Sequence, residues 1–307
     1  MNKDSKIYIA GHNGMVGSAI TRLLDKHGYN NLITKSSKEL NLINQAHVAD
    51  FFYKYKPEYV FLAAAKVGGI VSNNSYGADF IYENLMIQSN VIKASHNNEI
   101  KKLLFLGSSC IYPKISENPI NEESLLKGEL EKTNEAYAIA KIAGIKMCEY
   151  YNKQYNTNYI SVMPTNLYGP NDNYDLNNSH VLPALLKKFH LAKINNSQSV
   201  VVWGTGKPKR EFLHVDDLAE ACLFLMNNYN ENSIINIGSE IEISIIELAK
   251  LIKDIVGFDG EIEFDNSKPD GVMKKMMNSQ KIRNLGWKPK ISLREGINNT
   301  YKKHFKN

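Results

Sequence analysis

Cysteine is scarce in this 307-residue sequence, with three residues (Cys110, Cys148 and Cys222) that stand far apart. Their spacing matches neither a metal site nor a disulfide framework, so we expect no metal centre and place the protein in a reducing compartment, the cytoplasm. Long apolar runs are also missing. The longest, residues 59–71, is interrupted by Lys66 and two glycines and is too short to span a membrane. The first six residues lack the apolar core of a signal peptide.

Charge of one sign is not concentrated in any stretch of the chain. The net charge is +5 and the lysines are scattered, which argues against a nucleic-acid surface and leaves an anionic small molecule as the better partner. With 43% hydrophobic and 22% charged residues, the composition is that of an ordinary globular protein. The length allows one large domain or two smaller ones.

A glycine-rich turn follows the first predicted strand, residues 6–10, and precedes an apolar-periodic helix. Glycines let the backbone approach a pyrophosphate, while the amides and dipole of a helix N-terminus attract its charge. A tight turn with no ligand gives the same pattern, but the position after the first strand favours a dinucleotide. The residues of this turn are Gly11, Gly14, Met15, Val16 and Gly17.

The end of the second predicted strand, residues 31–35, bears on the choice of cofactor. An acid there binds the ribose hydroxyl of NAD, but this chain has Lys35 followed by two serines, and its first acid is Glu39. A cation with hydroxyl groups suits a 2′-phosphate. We therefore predict NADP, with NAD as the open alternative.

Strands and helices alternate through the first half of the chain. Helices are predicted at residues 45–55, 79–97 and 134–155, and further strands at 59–65, 102–106 and 159–163. This order predicts an α/β fold, a Rossmann-type doubly wound parallel sheet. The third strand ends in small residues that would admit a cofactor, namely Ala63, Ala64 and Ala65. We expect a cofactor domain at 1–165, with a return segment near 213–239, and a smaller C-terminal α/β substrate lobe at 166–307.

Two residues of the 134–155 helix, Tyr137 and Lys141, are four positions apart and project from one face. A neighbouring ammonium lowers the pKa of a phenol, so Tyr137 could pass a proton to a carbonyl oxygen. Ser108, in the loop after the 102–106 strand, is a second donor to the same oxygen. The spacing alone also occurs by chance on an exposed helix face.

Six motifs in this order resemble the extended short-chain dehydrogenase/reductase superfamily, and within it the GDP-L-fucose synthase family, over essentially the whole chain. The family epimerises GDP-4-keto-6-deoxymannose at C3 and C5 and then reduces it at C4 with NADPH. The motifs are Ala63-Ala-Ala-Lys-Val-Gly-Gly-Ile70, Leu106-Gly-Ser-Ser-Cys-Ile-Tyr-Pro113, Tyr137-Ala-Ile-Ala-Lys-Ile-Ala-Gly144, Met163-Pro-Thr-Asn-Leu-Tyr-Gly-Pro170, Asn178-Ser-His-Val181 and Arg210-Glu-Phe-Leu-His-Val-Asp-Asp217.

The resemblance implies roles for individual residues. Ser108, Tyr137 and Lys141 carry the reduction, and Cys110 as base and His180 as acid carry the epimerisation. The cofactor contacts that the resemblance adds are Lys141, Pro164, Asn166, Leu167 and His180. The residues implied to line the GDP-sugar pocket are Asn178, Val181, Leu185, Val202, Trp203 and Arg210, the last beside the diphosphate. The family dimerises through helices matching residues 79–97 and 134–155, which implies a homodimer.

The sequence departs from the family pattern at two places. Arginines that grip the NADP phosphate are replaced by Asn13 and Ser37, and Met277 and Asn278 stand where leucine and aspartate are usual. Open alternatives are another GDP-4-keto-6-deoxy sugar such as a heptose, reduction without epimerisation, a nucleotide-sugar 4-epimerase, and a non-catalytic dinucleotide sensor. For His214, which precedes two acids, a helix cap by Asp216 or Asp217 is a better interpretation than a metal site.

Overall fold

A six-stranded, fully parallel sheet forms the centre of the protein. The structure, a computed structural model, describes residues 1–176, 178–268 and 270–306, without the side chains of residues 70 and 71. The strands are β1 Ile7–Ala10, β2 Leu32–Ile33, β3 Tyr59–Leu62, β4 Lys102–Leu106, β5 Tyr159–Pro164, β6 Asn166–Tyr168, β7 Ser199–Trp203, β8 Lys209–His214, β9 Ile235–Ile237, β10 Glu242–Ser244 and β11 Glu261–Asp265. The helices are α1 Met15–Lys26, α2 Gln45–Tyr55, α3 Ile70–Ser75, α4 Gly77–Asn97, α5 Glu135–Tyr155, α6 Val181–Ile194, α7 Val215–Asn228, α8 Ile245–Val256, α9 Gln280–Asn284 and α10 Leu293–Phe305.

The strand order of the central sheet is β2-β1-β3-β4-β5-β9. One apolar core joins the sheet to α1 and α7, and a second joins its other face to α2, α4 and α5. The order reverses between β1 and β3, which opens a crevice at their carboxyl ends where such sheets bind ligands. The predicted doubly wound α/β fold is confirmed.

Two smaller sheets and a third core form the remainder. Strands β10, β8 and β6 make one sheet, and β11 pairs with β7 in parallel. Helices α6, α8 and α10 pack around them. The chain then returns to the central sheet, because β9 pairs with β5 and α7 lies in the same core as α1.

A buried lysine fastens the end of α7 to the central sheet. The Lys102 ammonium donates to the carbonyl oxygens of Leu225 at 3.0 Å and Met226 at 2.9 Å, and also to that of Tyr229. Burial lowers the pKa of Lys102 to about 8. A helix leaves its last carbonyls without partners, and a cation there satisfies them and complements the helix dipole.

Replacing this lysine should therefore destabilise the fold. We expect Lys102→Met to keep the packing of the aliphatic stem but to lower the free energy of unfolding by about 2–4 kcal/mol, because several buried acceptors lose a charged donor. Chemical denaturation measures the change. Lys101→Met is the matched control, since Lys101 is 60% exposed and pairs with Glu58 at the surface, and its loss should change stability far less. Equal losses for the two variants would contradict this role.

Among the described residues, no helix is both long enough and apolar enough to cross a lipid bilayer.

Candidate active site

Lys141 lies beneath the carboxyl end of β4, on the second turn of α5. Its Nζ donates to the carbonyl oxygen of Leu106 at 2.7 Å and lies 4.8 Å from the centroid of the Phe105 ring. The side chain is 3% exposed, and burial lowers the pKa of Lys141 to about 7. The helix therefore presents a lysine that can change its charge near neutral pH.

Tyr137 lies one turn before Lys141 on α5, and its phenol is near the Ser108 side chain. The Ser108 side chain accepts the Cys110 backbone N–H at 3.2 Å, which holds the short 3-10 helix Ser109–Ile111. Two hydroxyl groups are thus close together. A carbonyl oxygen placed there could accept a hydrogen bond from both.

The pKa of Tyr137 differs from the sequence-based expectation of a lowered value. Burial raises the pKa of Tyr137 well above its ordinary value, nearby Cys110 raises it further, and the Ser108 side chain acts in the opposite direction. The Lys141 ammonium points to the Leu106 carbonyl and lies 5.8 Å from the centre of the Tyr137 ring, so desolvation prevails. Tyr137 is consequently a proton donor at neutral pH in this structure.

Cys110 has a polar neighbour that the sequence analysis did not identify. Asn134 directly precedes α5, and its Nδ2 lies 3.4 Å from the Cys110 sulfur. The clue in the sequence was weak, because an asparagine before a helix normally indicates a cap.

His180 lies on the segment between β6 and α6. It directly precedes α6, and the backbone of the neighbouring Asn178 accepts the Gly69 N–H at 3.0 Å. The loop that carries His180 therefore rests on the glycine turn after β3. The residue is exposed, but nearby protein partly desolvates the ring, and this lowers the pKa of His180. No measured contact joins His180 to Cys110 among the described residues.

The crevice between β1 and β3 fits a dinucleotide. Gly11 has φ +87°, and a Cβ there would lie 2.8 Å from the Ala64 backbone; a Cβ on Gly17 would lie 2.1 Å from the Gly11 carbonyl oxygen. Only glycines let these three segments approach one another so closely. Gly14 is exposed and caps α1, whose first residues are Met15 and Val16, so free amides face the crevice. Ala63, Ala64 and Ala65 are partly exposed on the opposite side.

The residues predicted to hold the 2′-phosphate are bound to an acid of the same loop. Glu39 accepts from Lys35 at 3.1 Å, from the Ser36 N–H at 2.9 Å and from the Ser36 hydroxyl at 2.7 Å. These hydrogen bonds, from Ser36 first and then Lys35, lower the pKa of Glu39 to about 2. Lys35 and Ser36 could donate hydrogen bonds to the 2′-phosphate, but both already donate to the Glu39 carboxylate.

Residues around the end of β5 are fixed by a buried acid, Glu211. It is fully buried and accepts the N–H groups of Glu240 at 2.7 Å and Met277 at 2.9 Å, and its carbonyl oxygen accepts from Asn166. Burial raises the pKa of Glu211. Pro164, at the end of β5, is buried, whereas Asn166 and Leu167 are partly exposed. Met277, which departs from the family pattern, is fully buried, and so belongs to the core.

The predicted nucleotide-sugar residues fall into two groups. Trp203 is 58% exposed, with the ammonium groups of Lys188 and Lys268 at 5.3 and 5.7 Å from its ring. Arg210 is partly exposed and donates to the Val272 carbonyl oxygen at 2.5 Å, which places it against a residue four positions after Lys268. This positively charged aromatic surface suits a nucleoside diphosphate.

The second group is mainly internal. Leu185 and Val202 are 3% and 2% exposed in the core of the smaller sheets, and Val181 packs against that core. Their side chains shape the wall behind Trp203. Asn178 is exposed beside His180.

His214, rather than either following acid, caps α7. Its Nδ1 accepts the Asp216 N–H at 3.2 Å, while Asp217 accepts the N–H groups of Lys290 and Ile291. The expected cap by Asp216 or Asp217 is therefore wrong, because the histidine ring is buried against the helix start and both acids lie within the first turn. Over the described part of the chain, no group of three or more potential ligands is arranged to hold a metal ion.

Comparison with known proteins agrees with this geometry. A model described as the NAD dependent epimerase/dehydratase family matches residues 7–238. GDP-L-fucose synthase 1 of Arabidopsis thaliana is 58% identical, covering 100% of this chain and 95% of the relative. GDP-L-fucose synthase of Escherichia coli K12 is 53% identical, covering 96% and 95%. The structure of a GDP-mannoheptose C4 reductase from Campylobacter jejuni with NADP bound is 48% identical, with TM-score 0.92 and 98% of each chain covered.

The family resemblance predicted from the motifs is confirmed, and the chain belongs to the NAD dependent epimerase/dehydratase family, within which it groups with the GDP-L-fucose synthases and their GDP-sugar reductase relatives.

Proposed function

We propose that the protein is a GDP-L-fucose synthase, which epimerises GDP-4-keto-6-deoxymannose at C3 and C5 and reduces the product at C4. The observation that carries the proposal is the grouping of Ser108, Cys110, Tyr137 and Lys141 at the carboxyl end of β4. A plain reductase needs the serine, the tyrosine and the lysine. The cysteine beside them is an additional group that can exchange a proton with carbon.

In the reduction, the chain supplies the proton and holds the ketone. Tyr137 is protonated at neutral pH and donates to the C4 oxygen, while Ser108 donates a second hydrogen bond to it. Lys141 is partly in its ammonium form near pH 7, and that form can restore the tyrosine proton. A bound NADPH supplies the hydride for C4.

In the epimerisation, the same two hydroxyl groups serve a different step. Hydrogen bonds to the C4 oxygen stabilise the enolate that forms when a proton leaves C3 or C5. Inversion needs a base on one face and an acid on the other, roles that we give to the Cys110 thiolate and the His180 imidazolium. The lowered pKa of His180 means that its acidic form declines at lower pH than that of an ordinary imidazole, whose pKa is near 6.5.

We further propose NADP as the cofactor, with an affinity that Glu39 limits. Like charges on a 2′-phosphate and on the Glu39 carboxylate repel, and that carboxylate already engages Lys35 and Ser36. We expect Glu39→Gln to tighten NADPH binding about fivefold while changing NADH binding less than about twofold, as measured by fluorescence titration. Glu58→Gln, at the amino end of β3, is the control. A parallel gain for both cofactors in Glu39→Gln would contradict the proposal.

The substrate lobe is proposed to comprise residues 166–307, apart from a return segment near 213–239 that completes the cofactor domain of residues 1–165. This division is supported because β9 pairs with β5 in the central sheet and α7 lies in the same core as α1.

We propose the cytoplasm as the location of the protein, because three free cysteines suit a reducing compartment.

A homodimer through α4 and α5 is also proposed. Tyr82 on α4 is 58% exposed, and on α5 Ile139 and Tyr150, about three turns apart, are 43% and 59% exposed. A second copy would cover these apolar side chains. We expect a dimer in sedimentation at micromolar concentration and a monomer for Ile139→Glu. A monomeric parent protein would overturn this part of the proposal.

A GDP-heptose C4 reductase is the second candidate function. It is favoured by the 48% identity and TM-score of 0.92 with the Campylobacter jejuni enzyme. Both candidates use the Ser108, Tyr137 and Lys141 group, so these residues do not separate them.

The deciding experiment supplies the protein with GDP-4-keto-6-deoxymannose and NADPH in heavy water. Mass spectrometry and NMR of the product should find GDP-L-fucose with deuterium at both C3 and C5. NADPH oxidation without deuterium would leave a plain C4 reductase. Faster turnover of a GDP-4-keto-heptose would favour the second candidate, and cofactor binding without oxidation of NADPH by either sugar would indicate a non-catalytic sensor.

A further inference from the structure

Asn134 holds an unusual position for a residue at the start of a helix. It directly precedes α5, where an asparagine normally turns its side-chain oxygen to the free N–H groups of the first turn. Here the side chain makes no such bond. The amide Nδ2 instead lies 3.4 Å from the Cys110 sulfur, and the Oδ1 is buried with no hydrogen-bond partner among the described residues.

The Asn134 side chain therefore does not stabilise α5 as a cap, and its amide N–H is directed at the Cys110 sulfur instead. A neutral thiol accepts a hydrogen bond weakly, whereas a thiolate accepts one strongly, because the bond is then assisted by charge. The donor therefore favours the ionised form of the sulfur. The positive end of the α5 dipole, which begins directly after Asn134, acts in the same direction.

The sulfur is also held in place from its own backbone. The Cys110 N–H donates to the Ser108 side chain at 3.2 Å, so main chain and sulfur are each fixed by a separate bond. Cys148 and Cys222, in contrast, are buried at 1% and 0% exposure, and burial raises the pKa of each to about 12. Among the residues that the structure describes, Cys110 is the only cysteine that is partly exposed and also has an amide N–H donor directed at its sulfur.

We propose that Asn134 is a positioning residue for the epimerisation, one that orients the Cys110 sulfur and stabilises its thiolate through Nδ2. This inference rests on the proposed function for its consequence, since the thiolate is the base that removes the sugar proton. The hydrogen bond itself is independent of any substrate. It can therefore be tested in the enzyme alone.

The first test follows alkylation of Cys110 by iodoacetamide across pH, since only a thiolate reacts. Asn134→Asp keeps the size of the side chain and its ability to cap α5, but replaces the donor by an anion facing the sulfur. We expect the midpoint of the alkylation profile to move up by about one pH unit and the rate at pH 7 to fall about tenfold. Asn134→Ala, which only removes the donor, should shift the profile in the same direction by less.

The controls separate this role from a structural one. Asn30→Asp adds the same charge at the amino end of the sheet and should leave the profile unchanged. A residue that merely caps the helix would give an Asn134→Asp variant with an unshifted profile and unaltered or higher stability, and that result would overturn the proposal. Thermal unfolding of each variant verifies that the fold is retained.

The second test measures deuterium entry at C3 and C5 in heavy water. Asn134→Asp should slow it at least about tenfold, while reduction of the already epimerised ketone stays within about threefold of the parent rate. If the parent enzyme shows no exchange, the proposed epimerase function is wrong. The alkylation profile would still test whether Asn134 stabilises the Cys110 thiolate. If the parent exchanges and the variant exchanges equally fast, the positioning role fails alone.

Discussion

Replacing Tyr137 by phenylalanine should abolish most of the C4 reduction. We expect a fall in kcat of about a thousandfold, because a directly placed proton donor is lost from the transition state. The ring itself remains and keeps its edge-on contact with Phe80, whose centroid lies 6.5 Å away, so the fold should persist. NADPH affinity should change less than about threefold. Steady-state oxidation of NADPH and a binding titration measure the two quantities.

Tyr155→Phe is the control for this variant, because it removes a hydroxyl from the same helix at a position that is 46% exposed. It should retain full activity. If Tyr137→Phe kept more than about a tenth of the parent kcat, another group would be the proton donor, and Ser108 would be the next residue to replace. The raised pKa of Tyr137 adds a pH expectation: the phenol stays protonated through neutral and mildly alkaline pH, so loss of activity there reports another group.

Changing Cys110 to serine should separate the two reactions. We expect deuterium entry at C3 and C5 to fall about a hundredfold or more, because an alcohol is a far poorer source of an anionic base than a thiol. Reduction of a ketone that has already been epimerised should stay within about threefold of the parent rate. NMR in heavy water follows the first reaction, and NADPH absorbance follows the second.

Cys148→Ala gives the comparison for a cysteine outside the site, since Cys148 lies on α5 with its side chain in the core. That variant should lose some stability but exchange deuterium at the parent rate. If Cys110→Ser exchanged deuterium at the parent rate, Cys110 would be a packing residue and the protein would be a plain C4 reductase. Parallel loss of exchange and reduction would mean that Cys110 instead maintains the Ser108 and Tyr137 geometry.

Elements with strong local patterns were predictable from the sequence. The α2 helix and the β4 strand have the predicted bounds, and the four-residue spacing of Tyr137 and Lys141 correctly placed both on one helix. Strand, glycine turn and helix at the start of the chain likewise indicated the crevice. In each case the information lies within a few neighbouring residues, where period and turn chemistry determine the structure.

Features that depend on distant contacts were not predictable. The pKa of Tyr137 rises because the folded chain buries it and turns Lys141 toward Leu106, neither of which its spacing indicates. The bond from Asn134 to Cys110 joins residues 24 positions apart. Side-chain direction and desolvation decide both. The bonds from Ser36 to Glu39 are local, but they depend on the conformation that the loop adopts.

The return of the chain to the central sheet limits how this protein can change during evolution. Strand β5 has β9 as its outer neighbour, and β9 follows the segments β6 to β8 in sequence. The surface around Trp203 and Arg210, proposed to bind the nucleotide sugar, is therefore encoded between parts of the central sheet and is not an appended module. Recombination at a single point after β5 would exchange β9 and α7 together with this surface. The incoming β9 and α7 would then have to fit the existing β5 and α1, because a poor fit would expose the edge of β5.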